Sequence, residues 1–138
     1  MHQFTRVRDI AIMPEPANHA GDAGIDLAIP EGITVHPRKQ QKVKLGLKWE
    51  PPQRLKRLVP MLKLEPRSST ALMWNLLVQP GVVDAGYTGE LSFVVINFSD
   101  EAAIVPRGKR LVQAVLHWVS EAPNEEKERG PNGFGTTD

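Results

Sequence analysis

Apolar residues in this chain come in short runs, and in several of them polar residues take every second place. The stretch Lys42-Val43-Lys44-Leu45-Gly46-Leu47-Lys48 is an example, with the period of a strand that has one wet face. The same reading predicts strands at Ile25–Ala28, Ile33–His36, Gln41–Leu47 and Leu55–Leu64, then at Leu76–Gln79, Leu91–Phe98, Ala103–Val105 and Leu111–Val119. Turn residues separate them: Pro30-Glu31-Gly32, Pro37, Pro51-Pro52, Pro80-Gly81, Gly86, Gly89, Pro106 and Gly108. One stretch, Ser68-Ser69-Thr70-Ala71-Leu72-Met73-Trp74, reads as a short helix with hydroxyl residues placed to cap it. Short strands at regular spacing predict an all-β sandwich or barrel.

At 138 residues the chain has room for one core. Residues 1–120 are expected to form the β domain, and 121–138 a flexible arm, with Glu121–Glu128 a polar tether to a glycine-rich tail. Twelve prolines and eleven glycines favour turns over long helices. Cysteine is absent, so disulfides and thiolate metal sites are excluded. Met1-His-Gln-Phe-Thr-Arg6 has no apolar leader pattern, and no run reaches the length of a membrane span. A cytoplasmic protein without a membrane partner is expected. The net charge of +1 hides a basic stretch, Arg38 to Arg67, with ten Lys/Arg against Glu50 and Glu65. Alternation with apolar residues assigns most of these charges to a wet strand face, so stable nucleic-acid binding is not expected.

Chemistry concentrates in five segments. In Pro80-Gly81-Val82-Val83-Asp84-Ala85-Gly86-Tyr87-Thr88-Gly89 an apolar strand runs into a hairpin with Asp84 and Tyr87 near its tip. A carboxylate there can hold and deprotonate water, and a tyrosine ring can pack on a sugar. Glu65-Pro66-Arg67-Ser68-Ser69-Thr70 offers an arginine and hydroxyls for an anion, or simple helix capping. Asp26, between Ile25 and Leu27, is expected to be partly buried and to need an arginine or a hydrated metal as partner. Gln113, a lone amide in an apolar strand, can read a phosphate or satisfy a backbone group. The tail, Arg129-Gly-Pro-Asn-Gly-Phe-Gly-Thr-Thr-Asp138, suits no core but suits a phosphorylated base. Arg129, the Gly135 backbone and the Thr136 and Thr137 hydroxyls can meet phosphate, and Phe134 can stack. Phosphate-loop and dinucleotide fingerprints are missing. The four histidines have no metal-ligand spacing.

Together and in this order, these segments resemble the dUTP pyrophosphatase (dUTPase) family. The resemblance rests on Ala23-Gly24-Ile25-Asp26-Leu27, Pro66-Arg67-Ser68-Ser69, Gly81-Val82-Val83-Asp84 with Tyr87 and Gly89, Gly108 with Arg110 and Gln113, and Arg129-Gly130 with Gly133-Phe134-Gly135-Thr136-Thr137. It implies a distorted jelly roll, or β-clip barrel, assembled as a homotrimer with sites shared between subunits. It also implies hydrolysis of dUTP to dUMP and pyrophosphate with Mg²⁺. By that resemblance Asp84 would activate the attacking water and Tyr87 would exclude a 2′-hydroxyl. The backbone of Gly81, Val82 and Val83 would read uracil. Arg67, Ser68, Ser69 and Gln113 would hold phosphates, and Asp26 would act on magnesium through water or brace the site. Phe134 would cover the base, with Arg129, Gly135 and Thr136 closing on the nucleotide. Lys109, Ser69 and Ala85-Gly86 depart from the usual family pattern. The alternatives are a dCTP deaminase, alone or bifunctional, and a non-catalytic regulator on the same fold. A deaminase would need glutamate five residues after Gly89, where this chain has Val94.

Overall fold

The computed structural model describes residues 3–17 and 19–123. Its elements, in chain order, are β1 (Phe4–Arg6), β2 (Gly24–Ala28), β3 (Ile33–Val35), β4 (Gln40–Lys44), β5 (Leu47–Trp49) and β6 (Leu58–Pro66). Then follow α1 (Thr70–Trp74), β7 (Leu76–Gln79), β8 (Gly81–Asp84), β9 (Ser92–Asn97), β10 (Ala103–Val105) and β11 (Arg110–Ser120). All strand pairs are antiparallel, and sequence neighbours rarely pair. The order β2-β11-β6-β8 forms the largest sheet; β4-β9-β7, β1-β5 and β10-β3 complete the layers. The all-β expectation with one short helix holds among the described residues.

Alternation explains which side chains face inward. Along β6, Pro60, Leu62 and Leu64 are buried while their neighbours stay partly open. In β4, Val43 points in and the lysines on either side point out, so this part of the basic stretch is a wet face as expected. Leu27, Ile29, Leu45, Leu47, Leu62, Leu64, Leu111 and Val95 are fully buried in one cluster. Each such side chain contributes about 1.5–3 kcal/mol on removal from water. Asn97 lies inside this core. Its Nδ2 donates to the carbonyls of Val35 (2.9 Å) and Glu101 (2.8 Å), and its Oδ1 accepts from the Ser99 N–H and hydroxyl.

Three expectations are corrected. The single strand predicted over Gln41–Leu47 is divided, because Gly46 adopts φ 70° and turns the chain from β4 into β5. A Cβ at Gly46 would lie 2.9 Å from that of Ala11, so the bend also needs the missing side chain. Leu55 does not begin a strand. It closes a turn with Leu58, through Lys56 at φ 48°, and the strand starts at Leu58. The helix is not capped by its hydroxyls: Ser69 is itself helical in φ/ψ and makes no capping bond. Thr70 Oγ1 is buried and donates instead to the Leu111 carbonyl at 2.7 Å. β1, too short to show a pattern in sequence, exists by pairing with β5.

Candidate active site

Three of the five segments meet at one end of the largest sheet. The register sets Gln113 of β11 opposite Asp26 of β2 on one side and Glu65 of β6 on the other. Residues directly opposite in antiparallel strands share a face, so these three side chains form a row. β6 ends one residue further on, and Arg67 turns back over that row. Its Nε lies 3.1 Å from Asp26 Oδ1, and its Nη1 donates to the Arg110 carbonyl at 3.1 Å. Of the two partners open to Asp26, the structure thus shows the arginine. Asp26 is half-buried as expected, with 24% of its side chain exposed. Gln113 Nε2 donates to the Pro66 carbonyl at 3.3 Å, the backbone option, and its side chain lies where a Cβ on Gly24 would collide with it. Ser68 is exposed and Ser69 half-buried at the same corner. A cavity of about 190 Å³ opens beside the row, lined in part by Asp22, Gly24, Asp26, Arg110 and Gln113. The polar lining of this cavity is the Arg110 guanidinium and the Gln113 amide beside the carboxylates of Glu15, Asp22 and Asp26; Arg67, Ser68 and Ser69 lie at the corner but do not line it.

The remaining described segment lies elsewhere. β8 is the edge strand of the same sheet, so one row of its backbone groups faces away from β6. Asp84 closes the strand and is exposed, with the Tyr87 N–H donating to its carbonyl at 3.0 Å. The expected hairpin is corrected here: β8 pairs with β6, and the chain beyond the turn enters β9 in the other sheet. Tyr87 packs partly against the core, and its hydroxyl donates to the Glu90 carbonyl at 2.7 Å. A second cavity, about 380 Å³, adjoins Gly81 and is bordered by Gln40, Lys42, Gln79, Phe93 and Val94.

Asp84 sits opposite Met61 on β6, whereas Arg67 lies six residues further along the same chain direction. At about 3.3 Å per residue this separates the two positions by about 20 Å of backbone along the strand direction. Within one chain the two clusters do not meet. Arg129, Phe134, Gly135 and Thr136 lie outside the described residues. Glu90 and Arg8 escaped the reading of the sequence, and Glu65 and Arg110 were named in it without a role, because their parts come from strand register and long-range pairing. Among the described residues no three His, Asp or Glu side chains gather as a metal cage. No described helix is long and apolar enough to cross a membrane.

Fold and candidate site define a class: a small β domain with an arginine–carboxylate pair at one corner of its largest sheet and an exposed carboxylate turn on an edge strand of that sheet. A family model described as dUTPase matches residues 10–138, and the chain belongs to the dUTPase family. The deoxyuridine 5′-triphosphate nucleotidohydrolase of a Picosynechococcus species is 35% identical over 146 residues, covering 99% of each chain. Among solved structures, a mutant dUTPase from phage phi11 of S. aureus, described as coordinating a structural Mg(II) ion, matches with a TM-score of 0.74 at 23% identity. That match covers 91% of this chain and 96% of the phage protein. The dUTPase of Staphylococcus bacteriophage 80alpha with dUPNHPP matches with a TM-score of 0.70 at 24% identity, over 99% and 97% of the two chains.

Proposed function

We propose that this protein hydrolyses dUTP to dUMP and pyrophosphate, as a homotrimer in which each site joins the anion corner of one subunit to the Asp84 turn of another. The observation that carries the reading is the separation of about 20 Å along β6, estimated from strand rise. A triphosphate at Arg67 cannot meet Asp84 of the same chain, so a functional site needs a second copy. Family membership over residues 10–138 supplies the substrate class.

In this site Arg67, Ser68, Ser69 and Gln113 hold the phosphates. The outward backbone row of Gly81, Val82 and Val83 reads the polar edge of uracil. Tyr87 packs on the deoxyribose and leaves no room for a 2′-hydroxyl. Asp84 takes a proton from water as the water oxygen bonds to the α-phosphorus; the α–β P–O bond breaks and pyrophosphate leaves. Phe134 covers the base, and Arg129, Gly135 and Thr136 complete the phosphate contacts, excluding bulk water. Magnesium would arrive with the triphosphate, because among the described residues no protein cage gathers and the half-buried carboxylates of the corner, Asp26 and Glu65, are paired with Arg67 and Lys63. Bound with the substrate, Mg²⁺ would supply charge neutralisation, and Asp26 would act on it through water or brace the site by orienting Arg67. The cytoplasm, where nucleotide pools lie, is the proposed location. Residues 1–120 serve as the domain and 121–138 as the arm that brings the tail to a site.

Chromatography of products from dUTP, dCTP, dTTP and UTP tests the activity. Fast release of dUMP and pyrophosphate from dUTP alone is expected. Deoxyuridine nucleotides or ammonia appearing from dCTP would overturn the reading in favour of deamination. Val94 at the border of the second cavity, where a deaminase needs glutamate, supports the hydrolase. Light scattering tests the assembly, and a fully active monomer would refute it.

A further inference from the structure

Behind the Asp84–Tyr87 turn lies a charged network that the proposed chemistry does not use. The Tyr87 ring covers Gly89, where a Cβ would come within 2.5 Å of the hydroxyl, and that hydroxyl is bonded to the Glu90 carbonyl. The ring is therefore seated on the Gly89–Glu90 backbone. That backbone is anchored in turn by the Glu90 carboxylate, whose Oε2 accepts from Arg8 Nε at 2.9 Å and from the Gly46 N–H at 2.7 Å. Gly46 is buried and bent at φ 70°, so this donor has a fixed position. Arg8 extends the network to Glu31 Oε1 at 3.1 Å and the Lys44 carbonyl at 3.4 Å.

Exposure ranks these contacts. Arg8 and Glu90 expose 33% and 23% of their side chains, and Glu31 exposes 63%. The Glu90 bonds are shielded and charge-assisted, which favours one geometry; the outer pair with Glu31 is screened and adds little. Burial works against the Arg8 charge, yet hydrogen bonds to Glu31 and Glu90 and their charges raise it above the usual arginine range. Arg8 precedes residues 10–138, the stretch matched to the family.

The geometry points to Arg8 and Glu90 as a positioning pair that fixes the Tyr87 ring and thereby sets discrimination between 2′-deoxy and 2′-hydroxy nucleotides. The inference rests on the dUTP site proposed above. A ring locked by its support refuses one added oxygen, whereas a ring free to tilt yields to it. Arg8 touches no substrate and acts through Glu90 and then Tyr87.

Tyr87 is the chain's sole tyrosine, so it can be observed alone. The full-length protein is labelled with 3-fluorotyrosine, and its ¹⁹F resonance is recorded without nucleotide. The kcat/KM values for dUTP and UTP are then measured for wild type, Arg8→Met, Arg8→Lys and Glu90→Gln. Glu90→Gln keeps an acceptor for the Gly46 N–H, so it tests the pair if Arg8→Met folds poorly. In Arg8→Met and Glu90→Gln the resonance shifts or broadens, and the dUTP/UTP preference falls about fivefold or more. The loss appears mainly as a lower KM for UTP, with dUTP changed less, and Arg8→Lys restores part of the preference. An unchanged resonance in a folded variant overturns the brace, and so does a moved resonance with an unchanged dUTP/UTP preference. If wild type fails to hydrolyse dUTP, the functional reading fails instead, and the resonance still decides whether the pair positions Tyr87.

Discussion

Replacing Arg67 by lysine separates charge from shape at the anion corner. Arg67 now makes two contacts at once, to Asp26 and to the Arg110 carbonyl, both at 3.1 Å. Lysine keeps the positive charge but presents it as a point on a flexible stem, and it cannot reproduce the planar fork. One of the two contacts is therefore lost. The pair with Asp26 is about one-third open to solvent on the arginine side, so its worth is discounted to about 1 kcal/mol. The bond to the Arg110 carbonyl is also worth about 1 kcal/mol. Losing either lowers stability by about 1 kcal/mol. Activity should fall further, because the guanidinium no longer faces the phosphates in a fixed plane. An oriented charge-assisted contact contributes about 1.5–3 kcal/mol, which predicts a fall in kcat/KM for dUTP of about 10- to 150-fold. Urea unfolding and steady-state kinetics on the same sample give both numbers. A variant that loses stability yet keeps wild-type kcat/KM would show that Arg67 only ties β2 to β11, and that the phosphates bind elsewhere.

Asp84→Asn should lower kcat by about 10²–10⁴-fold with nucleotide binding nearly intact, since the amide holds water but cannot take its proton; equilibrium binding alongside turnover checks it. Phe134→Ala should reduce kcat/KM for dUTP at least fivefold, from a stacking contribution of about 1–3 kcal/mol, and a variant with normal kinetics would remove the tail from the site. Asn97→Ala should cost about 3 kcal/mol in urea unfolding, because it strips the donor from two backbone carbonyls inside the core. Gly24→Ala should weaken turnover by displacing Gln113, and kinetics near wild type would show that the amide plays no part in phosphate binding.

Local information carried the strands, because alternation is a property of neighbours. Val43 between exposed lysines, and Leu62 and Leu64 along β6, were readable before any partner was known. So were the short helix and the residue types suited to a phosphorylated base. That order of motifs was also enough to suggest the family, which the match over residues 10–138 bears out. Tertiary structure decided what depends on contacts between distant residues. Gly46 breaks a strand by its φ of 70°, and Ala11, far away in sequence, packs where any side chain there would lie. Thr70 abandons its expected cap because the Leu111 carbonyl comes within reach. Asp26 meets Arg67 because β11 sets Gln113 between their strands. The distance between Asp84 and Arg67 was equally hidden. It follows from β8 pairing with β6 at Met61, a register fixed by which faces must be buried together and by nothing in either segment alone.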